Sequence, residues 1–210
     1  MRAYQILAIM SVSAAATVHA ITAPIEGYGV WIPQWDFEVT PGGPHIVLNG
    51  TVEQVLDQLH SSNPKLLATF NLNLQDEGAL SVRDETDPLP LDHFGSICHE
   101  QPAGNVKAWW EGIKYLEKVP GRPVNGPGPG QCGRVSCSYN TQIWWCNDVS
   151  VDTKTKTLST FRHIANGAQA AYNDCTDWEY FSYFSSGQAF HKRDNWNVIV
   201  RGPMKGEGNC

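Results

Sequence analysis

Apolar residues recur along the chain with two periods, one of two residues and one of three to four. Tyr28, Val30 and Ile32 alternate, and Pro33 ends that run. His45-Ile46-Val47-Leu48 predicts a second short strand. Thr51-Val52-Glu53-Gln54 then has the form of a capping box, and Val52, Val55, Leu56 and Leu59 share one stripe of the helix it opens. Asn63-Pro64 stops that helix, because a proline disfavours helical geometry in the residue before it. Leu66, Ala68, Phe70, Leu72 and Leu74 alternate and predict a strand. From Asp76 to Asp92 the chain is polar and holds Pro88 and Pro90, which reads as a linker.

The second half carries more signals. Phe94 to His99 predicts a strand, and Val106, Trp109, Trp110, Ile113 and Leu116 mark a helix ended by Pro120-Gly121. Between Pro120 and Gly130 only Arg122, Val124 and Asn125 are neither proline nor glycine, so this stretch is expected as a loop, not as helix or central strand. Arg134 to Tyr139 and Gln142 to Asn147 read as two strands. Leu158, Phe161, Ile164, Ala165, Ala168 and Tyr172 mark a second helix with Ser159 as N-cap. Gly187 to His191 and Asn195 to Arg201 form a closing hairpin. The order β-α-β-β-α-β-β predicts an α+β two-layer sandwich, an antiparallel sheet with two helices on one face. Burial is the reason: each helix has one apolar stripe and each strand alternates, so the layers cover each other.

The first twenty residues stand apart. Arg2 precedes a mostly apolar run from Ile6 to Ala16, and Val18-His19-Ala20 fits a cleavage site after Ala20. That is the form of a secretory signal peptide, and the run is shorter than the roughly 20 residues a membrane span needs. The six cysteines (Cys98, Cys132, Cys137, Cys146, Cys175 and Cys210) agree with an extracellular address. An even number in an oxidising compartment reads as three disulfides, with 15 pairings open. No Cys-x2-Cys occurs, which disfavours zinc. No cofactor, no metal and no integral membrane span is expected.

Composition divides the mature chain at residue 83. Residues 21–83 lack cysteine and carry two basic against seven acidic residues, whereas 84–210 hold all six cysteines and carry 12 against 14. Arg83 lies at the change and is a candidate processing site that would make 21–83 a pro-segment. The whole chain has 15 basic and 21 acidic residues, a formal charge of −6, which argues against a duplex nucleic-acid partner. With 41% apolar residues the chain has enough to build a core.

Candidate chemistry is sparse. There is no Gly-x-Ser-x-Gly elbow, no His-Glu-x-x-His helix and no phosphate-binding loop. His99, Glu100 and His191, with His163 and Glu111, are candidates for the acid and base of a hydrolase. Trp144-Trp145 lies on an alternating strand, so one indole is expected in the core and the other either exposed or covered by the first segment; if exposed, it would form a binding surface with Tyr139 and Arg122. Asn49-Gly50-Thr51 is an N-glycosylation sequon.

From Gly126 the text has a recognisable character. Gly126-Pro127-Gly128-Pro129-Gly130, Cys132-Gly133-Arg134-Val135-Ser136-Cys137-Ser138-Tyr139-Asn140 and Ile143-Trp144-Trp145-Cys146-Asn147-Asp148 resemble a group of small secreted cysteine-rich proteins of plant-associated filamentous fungi. So do Ile164-Ala165-Asn166-Gly167-Ala168, Ser186-Gly187-Gln188-Ala189-Phe190-His191 and Asn195-Trp196-Asn197-Val198-Ile199-Val200. The element order is more distantly similar to fungal killer toxins and necrosis-inducing effectors, which fold as α/β sandwiches. The resemblance implies a secreted, toxin-like or effector protein acting by binding at a host plant or competitor cell. An extracellular hydrolase, ribonuclease-like or glycosidase-like, and a carbohydrate-binding module are the alternatives.

Overall fold

The computed structural model describes residues 21–40, 42–69, 90–150, 154–176 and 183–210. The leader 1–20 with Ala20, and residues 70–89, which hold Arg83, the end of the expected strand 66–74 and most of the linker 76–92, lie outside the described residues. The expected order forms the skeleton of the larger sheet. Its strands are β1 (Gly29–Trp31), β4 (Phe94–Cys98), β7 (Gln131–Ser138), β8 (Thr141–Asn147), β11 (Gly187–His191) and β12 (Trp196–Arg201), in the order β1-β7-β8-β12-β11-β4. Only β1 runs parallel to its neighbour, and the other pairs are antiparallel. Helices α3 (Val106–Lys118) and α4 (Arg162–Cys175) share one core with the face that carries Ile143, Trp145, Val198 and Val200. Asn105 caps α3 by accepting from the Ala108 N–H at 3.0 Å. Gly167 lets α4 sit close on β12, because a Cβ there would lie 2.6 Å from Val198 Cγ2.

A second sheet was not expected. Strands β2 (Gln34–Glu38), β3 (His45–Asn49), β6 (Arg122–Pro127) and β9 (Thr155–Thr157) form it in the order β3-β2-β6-β9. The stretch expected as a loop is therefore a central strand. Its prolines are tolerated because other groups supply bonds: the Pro123 carbonyl accepts from Leu158 N–H at 3.1 Å. Asn125, fully buried, donates through Nδ2 to the carbonyl of Trp145 at 2.7 Å and accepts from Gly126 N–H at 2.8 Å. Pro127 falls where the register with β9 shifts. A two-stranded ribbon joins β5 (Gly104–Asn105) to β10 (Phe184–Ser185).

Two further expectations are corrected. Leu66 and Ala68 lie not in a strand but in the short helix α2 (Pro64–Thr69), which follows α1 (Val52–Ser62) directly. Asn63 Oδ1 accepts from Leu66 N–H at 3.2 Å and Pro64 takes the first helical position, so the proline that ends one helix starts the next. Helix α4 begins at Arg162 after Phe161, with no side-chain cap, rather than after Ser159. The capping box of α1 does form: Thr51 N–H donates to Gln54 Oε1 at 3.0 Å.

Residues 21–69 do not build a unit of their own. Trp35, Phe37, Val52, Val55, Leu59 and Leu66 belong to the same core as Trp109, Phe161 and Trp145. The Trp35 and Phe161 rings stack with centroids 3.8 Å apart. Glu53 on α1 accepts from Ser136 Oγ at 2.6 Å and from Cys137 N–H at 3.1 Å. The change at residue 83 is thus one of composition and not of core.

Candidate functional site

All six cysteines pair, as Cys98–Cys175, Cys132–Cys146 and Cys137–Cys210. The first ties the end of α4 to β4. The second joins directly opposed residues of β7 and β8. The third fastens Cys210 to β7, and beside it the tail is held by a buried ion pair. Arg201 donates to Glu207 through Nη1 at 2.8 Å and Nη2 at 2.9 Å, with both side chains nearly or fully enclosed. Glu207 also accepts from Met204 N–H at 2.8 Å and Thr22 Oγ at 2.9 Å, which brings in the other end of the described chain. Burial alone would raise the Glu207 pKa, but the hydrogen bonds from Arg201 and Met204 N–H and the guanidinium charge hold it at about 2.

The outer indole is covered rather than exposed, so no indole platform forms. Trp144 and Trp145 point to opposite faces, yet both are 0% exposed. Trp145 enters the core under the helices. Trp144 lies on the outer face, under Ala23, Ile25 and Tyr28, with Arg201 at 5.4 Å and Arg134 at 5.9 Å from its ring. The N-terminal segment covers what alternation alone would leave bare. Tyr139 is exposed on the turn between β7 and β8, and Arg122 is exposed at the start of β6, so neither adjoins an open indole.

The hydrolase candidates are also separated. His191 pairs with Phe94, whereas His99 N–H donates to the Ser186 carbonyl at the other end of the same ladder. Five residue steps along the strand separate Ser186 from His191, about 17 Å at ~3.4 Å per step. His99 and Glu100 are both exposed. His191 instead stacks on Trp196 with centroids 5.0 Å apart and meets His93 edge-on at 6.0 Å. Burial pushes its pKa down, and His93, Lys156 and His163 push the same way against Asp194. Asn49 is exposed at the end of β3. Among the described residues no group of three or more His, Cys, Asp or Glu is arranged to hold a metal ion, and no helix is long and apolar enough to cross a membrane.

What the fold does expose is an aromatic corner that includes one residue of the predicted helix stripe, Trp110. Trp109 and Trp110 are adjacent, so on a helix they point about 100° apart and only one can face inward. Trp109 is fully buried, its Nε1 donating to the Ala168 carbonyl at 3.2 Å, while Trp110 is 39% exposed. Tyr172 of α4 supports the Trp110 ring at 5.4 Å, and Lys114 Nζ sits 4.3 Å from its centroid. Strand β10 runs beside the start of α3: Val106 N–H donates to the Tyr183 carbonyl at 2.9 Å, and Phe184 pairs with Asn105. Tyr183 is 76% exposed and Phe184 61%. The corner is pinned from beneath, since Ser185 Oγ donates to the carbonyl of Cys175, the residue bonded to Cys98.

Family models, curated proteins and solved structures offer no match to this chain. The site therefore rests on its own geometry. A tryptophan, a tyrosine and a phenylalanine presented by fixed backbone, with a lysine over one ring, suit a protein or peptide partner. Such surfaces bind through large, nearly rigid side chains that lose little entropy on contact.

Proposed function

We propose that this is a secreted toxin-like or effector protein that acts by binding at the surface of a plant or competitor cell. The observation that supports it is the aromatic corner of Trp110, Tyr183 and Phe184, held in place by the Cys98–Cys175 bridge. Three disulfides suit a life outside the cell, where they persist and offset the cost of exposing large apolar side chains. The corner supplies contact area, and the cross-linked scaffold keeps it preorganised, so less free energy is lost on binding. A sugar-binding module built on Trp144 or Trp145 has no platform there, and Trp110 and Tyr172 are inclined at 42°, not coplanar.

The test is infiltration of the purified, oxidised full chain into leaf tissue, beside a reduced and alkylated sample and the variant Trp110→Ala. The expected result is a cell-death or defence response to the oxidised protein only, weaker for the variant. Growth inhibition of competitor fungi by the same samples tests the other target class. If neither leaf nor fungal cells respond to the oxidised protein, the proposal fails.

A further inference from the structure

The outer face of the larger sheet is covered unevenly. Residues Ala23, Ile25 and Tyr28 cover Cys132, Trp144, Cys146 and Ile199 on β7, β8 and β12. The cover stops short of the last two strands, β11 and β4. There Ile97 pairs with Gln188 and Phe190 with Gly95, so Ile97 and Phe190 share that face, 45% and 39% exposed. Gly95 leaves a gap beside Phe190, and Lys192 fills it: its Cε lies 3.7 Å from where a Cβ at Gly95 would stand. Lys192 Nζ is steered by the Asp92 carbonyl at 2.7 Å, next to the exposed Leu91. Arg193 is exposed at the tip of the same hairpin, and the charge of Asp194 beside it is taken up by Lys156 at 2.8 Å.

We infer that this edge of the sheet, Phe190 and Ile97 with Lys192 and Arg193, docks on an anionic phospholipid surface. Exposed apolar side chains on a folded sheet face mark an interaction site when polar residues rim them. Lys192 and Arg193 outnumber the acids beside them, since Asp92 contributes one negative charge and Asp194 is met by Lys156, so in a chain whose formal charge is −6 this edge favours a negative partner. The two-part chemistry, apolar groups to enter the headgroup layer and cations to meet phosphate, is that of a lipid interface rather than of a soluble anion. The Lys192 stem lies flat against the sheet, which lets the ammonium reach outward while its methylenes extend the apolar area. This surface is separate from the aromatic corner, so its failure would leave the binding function above standing.

The test is co-sedimentation of the oxidised full chain with vesicles of phosphatidylcholine alone or with a minority of phosphatidylglycerol, at low salt. Binding is expected on the anionic vesicles and not on the neutral ones. Lys192→Gln with Arg193→Gln should weaken it about 30-fold, the surface attraction of two cations. Phe190→Ser and Ile97→Ser should weaken it separately, while Trp110→Ala leaves it unchanged. All five substitutions fall at exposed or partly exposed side chains, and an unchanged circular dichroism spectrum checks folding. Equal sedimentation with both vesicle types would overturn the inference. So would displacement by a single-stranded polynucleotide with Phe190→Ser silent, or self-association of the chain through this edge.

Discussion

Replacing Glu207 by Gln removes one charge from a pair in which Arg201 is fully buried. The neutral amide keeps the shape but leaves a guanidinium in the interior without its counter-charge, a situation that costs about 3–5 kcal/mol. The pKa gives an independent figure. A carboxyl held at about 2 in the fold, against an ordinary 4.5, contributes roughly 3 kcal/mol at neutral pH. The sign follows from the depression: this stability is complete above pH 4.5 and is lost as the pH falls from 4.5 through about 2. Urea unfolding of the oxidised protein and of Glu207→Gln measures both effects. At pH 7 the variant should unfold at a midpoint lower by about 1–2 M, taking a slope near 2 kcal/mol/M. At pH 2 most of the gap should close, because the native protein has then lost the same charge. A gap below about 1 kcal/mol at pH 7, or one that persists unchanged at pH 2, would show that the clasp is held by Cys137–Cys210 and not by the ion pair. Replacing both partners with apolar residues of similar volume should recover much of the loss.

Three further outcomes are expected. Asn125→Ala removes the bond that holds the proline-bearing β6 to β8 and the one that satisfies Gly126 N–H, at a cost of about 2–4 kcal/mol, seen as a lower melting temperature. Opening Cys98–Cys175 by the paired Cys→Ser change should cost more than opening Cys132–Cys146, roughly 4 against 3 kcal/mol, because the bridges close separations of 77 and 14 residues; chemical denaturation of the two variants compares them. His191 titrates below its ordinary pKa in the fold, so native stability declines as the pH drops beneath 6.5. His191→Phe, stacked on Trp196 in its place, should flatten the change in melting temperature between pH 7.5 and 5.

The larger sheet was readable because its signals are local and agree. Strands β7 and β8 carry alternation on both sides of a tight turn, and α3 and α4 each carry one apolar stripe. The second sheet was not readable for the opposite reason. Strand β6 is poor in every strand-forming residue type and is held by long-range groups: Asn125 reaching Trp145, and β2 and β9 on either side. The outer indole was left between exposure and cover by the first segment, because alternation fixes its face while the cover comes from residues 23–28, more than a hundred positions earlier. For the corner, the paired Trp109-Trp110 held a usable signal in the 100° between neighbours on a helix. The exposure of Phe190 and Ile97 had none, because alternation fixes a face and not what lies over it.

The link between Thr22 and Glu207 spans 185 residues. During synthesis β1 must wait for β7, and Thr22 must wait longer still, for a loop that follows the final strand. The residues made first are thus settled among the last, and a change at Glu207 would reach back to the cover over Trp144.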